Sequence, residues 1–152
     1  NSNYNEILNQ MCEKKLREIF DNINIIKEWD LKSERYGGSW SNQYSGIYFY
    51  RSGWKKLRLA FEFLKPGLDG FIYGIKYCDD NEASKDLIIK KIQEKKGIRS
   101  TSNWYPWYDY VPDYQNFSTK FVEALYNGKL KEKIQGLVES NIKLLNELAD
   151  NL

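Results

Sequence analysis

Two stretches of strict alternation, joined by six residues that read as a turn, constrain the fold of this chain more than any other feature. Leu57, Leu59, Phe61 and Phe63 alternate with Arg58, Ala60, Glu62 and Leu64, and Phe71, Tyr73, Ile75 and Tyr77 repeat the period against Ile72, Gly74 and Lys76. A period of two places each set on one face of an extended strand. Between them, Lys65-Pro66-Gly67-Leu68-Asp69-Gly70 is rich in turn formers, so the two strands should make an antiparallel hairpin. Ile47 and Phe49 alternate with Tyr48 and Tyr50 ahead of it, and an earlier strand over 27–36 is set off by Gly37-Gly38-Ser39. The middle of the chain therefore reads as a four-stranded meander with room for a fifth strand.

On either side the period changes. Ile7, Leu8, Met11, Ile19, Phe20, Ile23 and Ile26 recur at three- and four-residue steps, the spacing of an amphipathic helix over about 4–26. A second helix reads over 81–96 through Ala83, Leu87, Ile88 and Ile92, with Asp79 and Asp80 as caps and Gly97 as its stop. Ser118 should cap a short helix ending at Asn127-Gly128, and residues 129–149 form a closing helix through Leu130, Ile134, Leu137, Val138, Leu144, Leu145 and Leu148. The expected fold is α+β, an antiparallel sheet packed by the N- and C-terminal helices. Residues 1–152 read as one domain, a size that buries about two thirds of the unfolded chain's surface.

With Leu57, Phe61, Tyr73 and Ile75 turned toward the helices, Arg58, Glu62 and Lys76 must share the other face. Arg58 and Glu62, on one face of the same strand, read as a surface salt link. A small-molecule site would require Glu62, Lys76 and a tyrosine to converge in a pocket between sheet and helices.

Chemistry is bounded mostly by what is missing. There is no histidine, and two cysteines, Cys12 and Cys78, are too few for a disulfide framework. Histidine-dependent nucleophilic catalysis and Cys/His zinc sites are excluded within this chain, and the thiols read as reduced and cytoplasmic. Asp79, Asp80 and Glu82 cluster, but before a helix they read as dipole-favouring caps. Asp30-Leu31-Lys32 with Asp21 upstream is the nearest imitation of a metal-dependent nuclease's acidic and acidic-x-Lys residues, but Asp21 falls in the opening helix, and Glu13-Lys14-Lys15 and Glu94-Lys95-Lys96 lie within helices. No catalytic residue, metal or cofactor is assigned. No run of about 18–20 apolar residues could span a bilayer.

The 23 basic and 21 acidic residues leave a formal charge of +2, so any polyanion-binding surface must be local. One candidate stands out. Lys85, Lys90, Lys91, Lys95, Lys96 and Arg99 lead directly into residues 103–114, which hold two of the five tryptophans and four of the twelve tyrosines. Lysines attract phosphates and rings stack unpaired bases, so Lys90, Lys91, Lys95, Arg99, Trp104, Trp107 and Tyr108 form a candidate nucleic-acid or partner-binding set. The competing reading makes the same rings a corner of the core. Trp29, Trp40 and Trp54 read as packing residues, with Trp40, in a Gly- and Ser-rich loop, the most exposed of them.

Leu57-Arg58-Leu59-Ala60-Phe61-Glu62-Phe63, Gly74-Ile75, Trp104-Tyr105-Pro106-Trp107-Tyr108 and the helical stretch from Phe121 to Leu148 follow one another in an order that resembles the C-terminal region of a bacterial family of the PD-(D/E)XK nuclease superfamily. The resemblance runs from about Lys55 onward. It implies that the family's catalytic Asp and Glu-x-Lys belong to an N-terminal region with no counterpart here, so no catalytic position carries over. It implies further that the chain is the C-terminal part of a longer protein, an accessory domain engaging nucleic acid or regulating a nuclease domain, and the start without methionine agrees. The alternatives are a protein-interaction or oligomerisation module using the aromatic segment, and a small-molecule-binding domain or enzyme.

Overall fold

The computed structural model describes residues 2–152. Helix α1 (Ser2–Asn24) leads through a short 3₁₀ turn at Lys27–Trp29 into strand β1 (Lys32–Tyr36), followed by β2 (Gly46–Tyr50), β3 (Leu57–Lys65) and β4 (Asp69–Tyr77). Helix α2 (Lys85–Lys96), strand β5 (Trp107–Tyr110), α3 (Thr119–Asn127) and α4 (Lys129–Ala149) complete the order. The strands form one antiparallel sheet in sequence order, β1-β2-β3-β4-β5.

The hairpin anticipated from the alternation is β3–β4, with Leu59 opposite Ile75 and Phe61 opposite Tyr73. Its turn places Leu68 in left-handed backbone, φ 62°, while burying the side chain completely. The fifth strand is supplied by the aromatic segment: Trp107, Tyr108, Asp109 and Tyr110 pair with Ile75, Gly74, Tyr73 and Ile72. The sheet's first strand is shorter than the sequence predicts, because residues 27–29 turn and Asp30 adopts φ 47° before pairing begins at Lys32.

All four helices contribute to one continuous core with Ile47, Phe49, Leu57, Leu59, Phe61, Phe63, Phe71, Tyr73, Ile75 and Trp107. Phe61 lies at its centre, its ring 5.5 Å from Phe20, 6.3 Å from Phe49, 6.1 Å from Phe71 and 6.3 Å from Tyr73. Such offset and edge contacts add to area burial. Ser118 caps α3 as expected, its Oγ accepting from the Phe121 amide at 3.2 Å. Helix α2 begins only at Lys85, so Asp79 and Asp80 are not its caps: the Asp79 carboxylate accepts instead from the Asn81 amide at 2.9 Å, closing a local turn. Trp40 is also corrected. It is 4% exposed, stacked on Phe20 at 5.3 Å, with the Arg35 guanidinium over its ring.

Candidate functional site

The face of the sheet turned away from the helices carries its own small cluster. Ala60, Ile72 and Tyr105 are buried there, with Tyr48, Leu64 and Tyr108 packed against them, and no helical residue takes part. Register explains its composition. Tyr48, Ala60, Gly74 and Tyr108 lie in one row across β2 to β5, and Gly46, Glu62, Ile72 and Tyr110 in the next. Because neighbours on a strand face opposite ways, these rows are the counterpart of the Phe-rich rows against the helices.

Two glycines let rings lie flat on this surface. A Cβ at Gly46 would strike the Tyr36 hydroxyl, and one at Gly74 would come within 2.6 Å of the Trp107 carbonyl, 2.7 Å of Tyr108 Cβ and 2.9 Å of the Tyr105 ring. With both gaps open, Tyr36 reaches in from the β1 edge and Tyr105 from the segment before β5. Their hydroxyls converge on one atom: Glu62 Oε1 accepts from Tyr36 at 2.6 Å and from Tyr105 at 3.0 Å.

Lys76 completes the cluster, its Nζ 3.6 Å from the same carboxylate oxygen and 4.1, 5.2 and 5.8 Å from the Tyr36, Tyr105 and Trp104 ring centroids. The ammonium thus sits among ring faces beside a carboxylate, which satisfies both cation–π and ion-pair attraction. Burial lowers the Lys76 amine from its ordinary value, and Glu62 partly offsets the effect. Burial first, then the neighbouring Tyr105 phenol and Glu62 carboxylate, push the Tyr36 hydroxyl well above the usual tyrosine value, and burial followed by Glu62 does the same for Tyr105. Both phenols therefore act as fixed donors at neutral pH.

Above Glu62 the surface opens into a cleft of about 480 Å³, walled by Tyr36, Tyr44, Leu64, Trp104, Tyr105 and Tyr108. Tyr44 stands at its rim, 57% exposed and in left-handed backbone, φ 62°; strained exposed residues of this kind gather at binding sites. Farther along the same face Arg58 lies over the Tyr48 and Tyr50 rings, at 4.4 and 4.9 Å from their centroids, and Glu34 accepts from both phenols. Arg58 is accordingly not the partner of Glu62. The surface salt link expected between them is replaced by two separate arrangements: Arg58 is taken up by the Tyr48 and Tyr50 rings, while Lys76, opposite it on β4, extends to Glu62.

The basic and aromatic residues proposed from sequence are divided by the sheet. Trp104 is exposed and Tyr108 half-buried on the cleft side. Trp107, one residue on from Pro106, faces the helices: it is 3% exposed, its indole donates to the Gly97 carbonyl at 3.1 Å, and it offers no face for stacking. Lys96 lies over the Trp107 ring at 4.3 Å and donates to Asn141 at 2.8 Å. Lys91 donates to the Asn151 carbonyl at 2.7 Å and Lys95 pairs with Glu147 at 3.5 Å, so α2 turns these lysines toward α4. Lys90 is exposed on the same helix, and Arg99 pairs with Asp109 at 3.1 Å beside β5. Glu62, Lys76, Tyr36, Tyr48 and Tyr105 were not among those residues. The alternation had assigned Glu62 and Lys76 to this face, but nothing local shows that rings from residues 36 and 105 close over them.

Fold and site define an antiparallel sheet with helices on one face and an aromatic, charge-paired cleft on the other. Comparison with protein-family models, curated proteins and solved structures finds no match for this chain. Among the described residues no group of three or more Cys, Asp or Glu side chains is placed to hold a metal ion, and no helix is long and apolar enough to cross a membrane.

Proposed function

We propose that this chain is a non-catalytic binding module whose helix-free sheet face engages single-stranded nucleic acid. One observation carries the reading: Tyr36, Tyr48, Tyr50, Trp104 and Tyr108 are held on that face, with Arg58 against the Tyr48 and Tyr50 rings and Lys76 against the Tyr36 and Trp104 rings. Unpaired bases stack on such rings, and sheet faces of this composition suit splayed single strands better than a duplex. The resemblance to the C-terminal region of PD-(D/E)XK superfamily proteins fits such a role, a module presenting a strand to, or regulating, a metal-dependent nuclease domain.

The cations on this face are few, so stacking rather than charge must supply most of the affinity. With roughly two phosphates neutralised, log K should fall with log salt at a slope of about −1.4. Fluorescence-anisotropy titration of labelled single-stranded DNA and RNA, with duplex controls, tests this. Tyr48→Ala, Trp104→Ala and Tyr108→Ala should each weaken single-strand binding by about 5- to 150-fold, the equivalent of about 1–3 kcal/mol per stacked base. Absence of binding to any strand at low salt would refute the proposal.

A further inference from the structure

Resting on the single-strand reading, we infer that the cleft over Glu62 is a base-specific pocket that selects guanine. The floor of the cleft is polar but charge-balanced, since the Glu62 carboxylate and Lys76 ammonium lie 3.6 Å apart. A balanced pair inside ring walls favours a neutral polar heterocycle over a free anion or cation, either of which would leave one charge of the pair uncompensated.

The hydrogen-bonding capacity left over sets which heterocycle fits. Both phenols donate to Glu62 Oε1, and Lys76 approaches the same oxygen. Oε2 has no hydrogen-bond partner among the described residues and remains as an acceptor, while the three-donor Lys76 ammonium has spent one donor on the carboxylate. The cleft therefore offers a donor beside an acceptor. Guanine presents the complementary edge, O6 as acceptor followed by N1–H and N2–H as two adjacent donors. Lys76 meets O6, and Oε2 meets the two N–H groups. Uracil would set its O2 against Oε2, and adenine and cytosine each offer one amino donor where guanine offers two donors.

The walls supply the remaining requirement. Tyr108 and Trp104 flank the cleft on the β5 side and Tyr36 on the β1 side, with Leu64 and Ile72 between them. A planar base entering edge-first keeps its faces on rings and its Watson–Crick edge toward Glu62, the geometry by which single-stranded bases are read.

The test uses labelled ten-nucleotide uridine strands carrying one central guanine, inosine, adenine or cytosine, titrated by anisotropy against the wild-type protein and Glu62→Gln. The guanine strand should bind about tenfold more tightly than the adenine, cytosine or all-uridine strands, within the range of one good bidentate base contact. Inosine, which lacks only the N2 amino group, should lose several-fold against guanine on the wild-type protein, a comparison that needs no variant to fold. In Glu62→Gln the guanine-to-adenine affinity ratio should fall to about one, since the amide has one oxygen where the carboxylate has two, and with that oxygen accepting from the phenols it turns its NH2 toward the guanine donors. Equal binding of all strands by the wild-type protein would overturn the pocket while leaving the stacking surface intact. Inosine bound as tightly as guanine by the wild-type protein, or guanine preference retained in a folded Glu62→Gln protein, would overturn the assignment of Glu62. Failure of every strand to bind would overturn the single-strand reading itself.

Discussion

Glu62 is the residue on which the open face depends. It is 6% exposed, and its charge is tolerated because two phenols and an ammonium surround one of its oxygens. The same burial ties the cluster to alkaline pH. Tyr36 and Tyr105 ionise near pH 10 in the unfolded chain but keep their protons well above that value when folded. The folded state then holds more protons than the unfolded one, so the tyrosine contribution to stability is present below about pH 10 and is lost as pH rises beyond it. Lys76, lowered by burial, acts oppositely, its cost easing as pH rises toward the ordinary lysine value. Tyr36→Phe isolates the tyrosine effect. Below about pH 9 the variant should be about 1–3 kcal/mol less stable through loss of a hydrogen bond to a charged group, and above about pH 10 its decline should be shallower than wild type, as read by urea unfolding across that range.

At the scale of elements, β5 decides whether the cleft exists. Its four residues come from the densest aromatic stretch of the chain, and pairing with β4 sends Trp107 to the core and Tyr108 to the cleft. Gly74 makes the pairing possible, since any Cβ there meets the Trp107 carbonyl, Tyr108 and Tyr105 together. Two of those three atoms belong to the β5 backbone or its first side-chain carbon and cannot swing aside. Gly74→Ala should therefore lower stability by about 1–3 kcal/mol, the range of an overpacked site, and weaken single-strand binding by displacing Tyr108. Thermal unfolding and anisotropy on the same sample check both outcomes. The question whether residues 103–114 are core or contact surface is resolved position by position: Tyr105, Trp107 and Tyr114 are buried, while Trp104 and Tyr110 are exposed.

For the whole molecule, the sheet is a partition. Helices α1 to α4 and the Phe-rich rows occupy one side, and the charged and tyrosine rows the other. Of the α2 lysines, Lys91 and Lys95 are engaged with the C-terminal end of the chain through the Asn151 carbonyl and Glu147. A Lys90, Lys91, Lys95 to Ala triple variant should accordingly change single-strand affinity by less than about threefold at physiological ionic strength, where charges beyond about 8 Å are screened. A larger loss, with the fold intact by circular dichroism, would place the strand on the helical side instead.

Local periodicity carried most of the fold. The two-residue alternation identified β2, β3 and β4 and set Leu57, Phe61, Tyr73 and Ile75 on the face opposite Arg58, Glu62 and Lys76, because side-chain direction in a strand follows from covalent geometry alone; the structure turns the first set to the helical core. Three- and four-residue spacing likewise located α1 and α4, and the Ser118 cap with the Asn127-Gly128 stop located α3. What periodicity could not supply was partnership across long separations. Tyr36 and Tyr105 are 26 residues before and 43 residues after the Glu62 they bind, and a contact of that kind depends on strand order and on gaps at Gly46 and Gly74. Trp40 was misjudged for the same reason: a loop rich in Gly and Ser is normally exposed, but this one folds back onto Phe20. The sequence by itself determined the sheet, its helices and the two characters of its faces, because those depend on neighbours in the chain. Only the tertiary structure decided that a carboxylate, a lysine and three distant rings meet in one cleft, because such contacts are set by how strands pair and not by what lies beside each residue along the backbone.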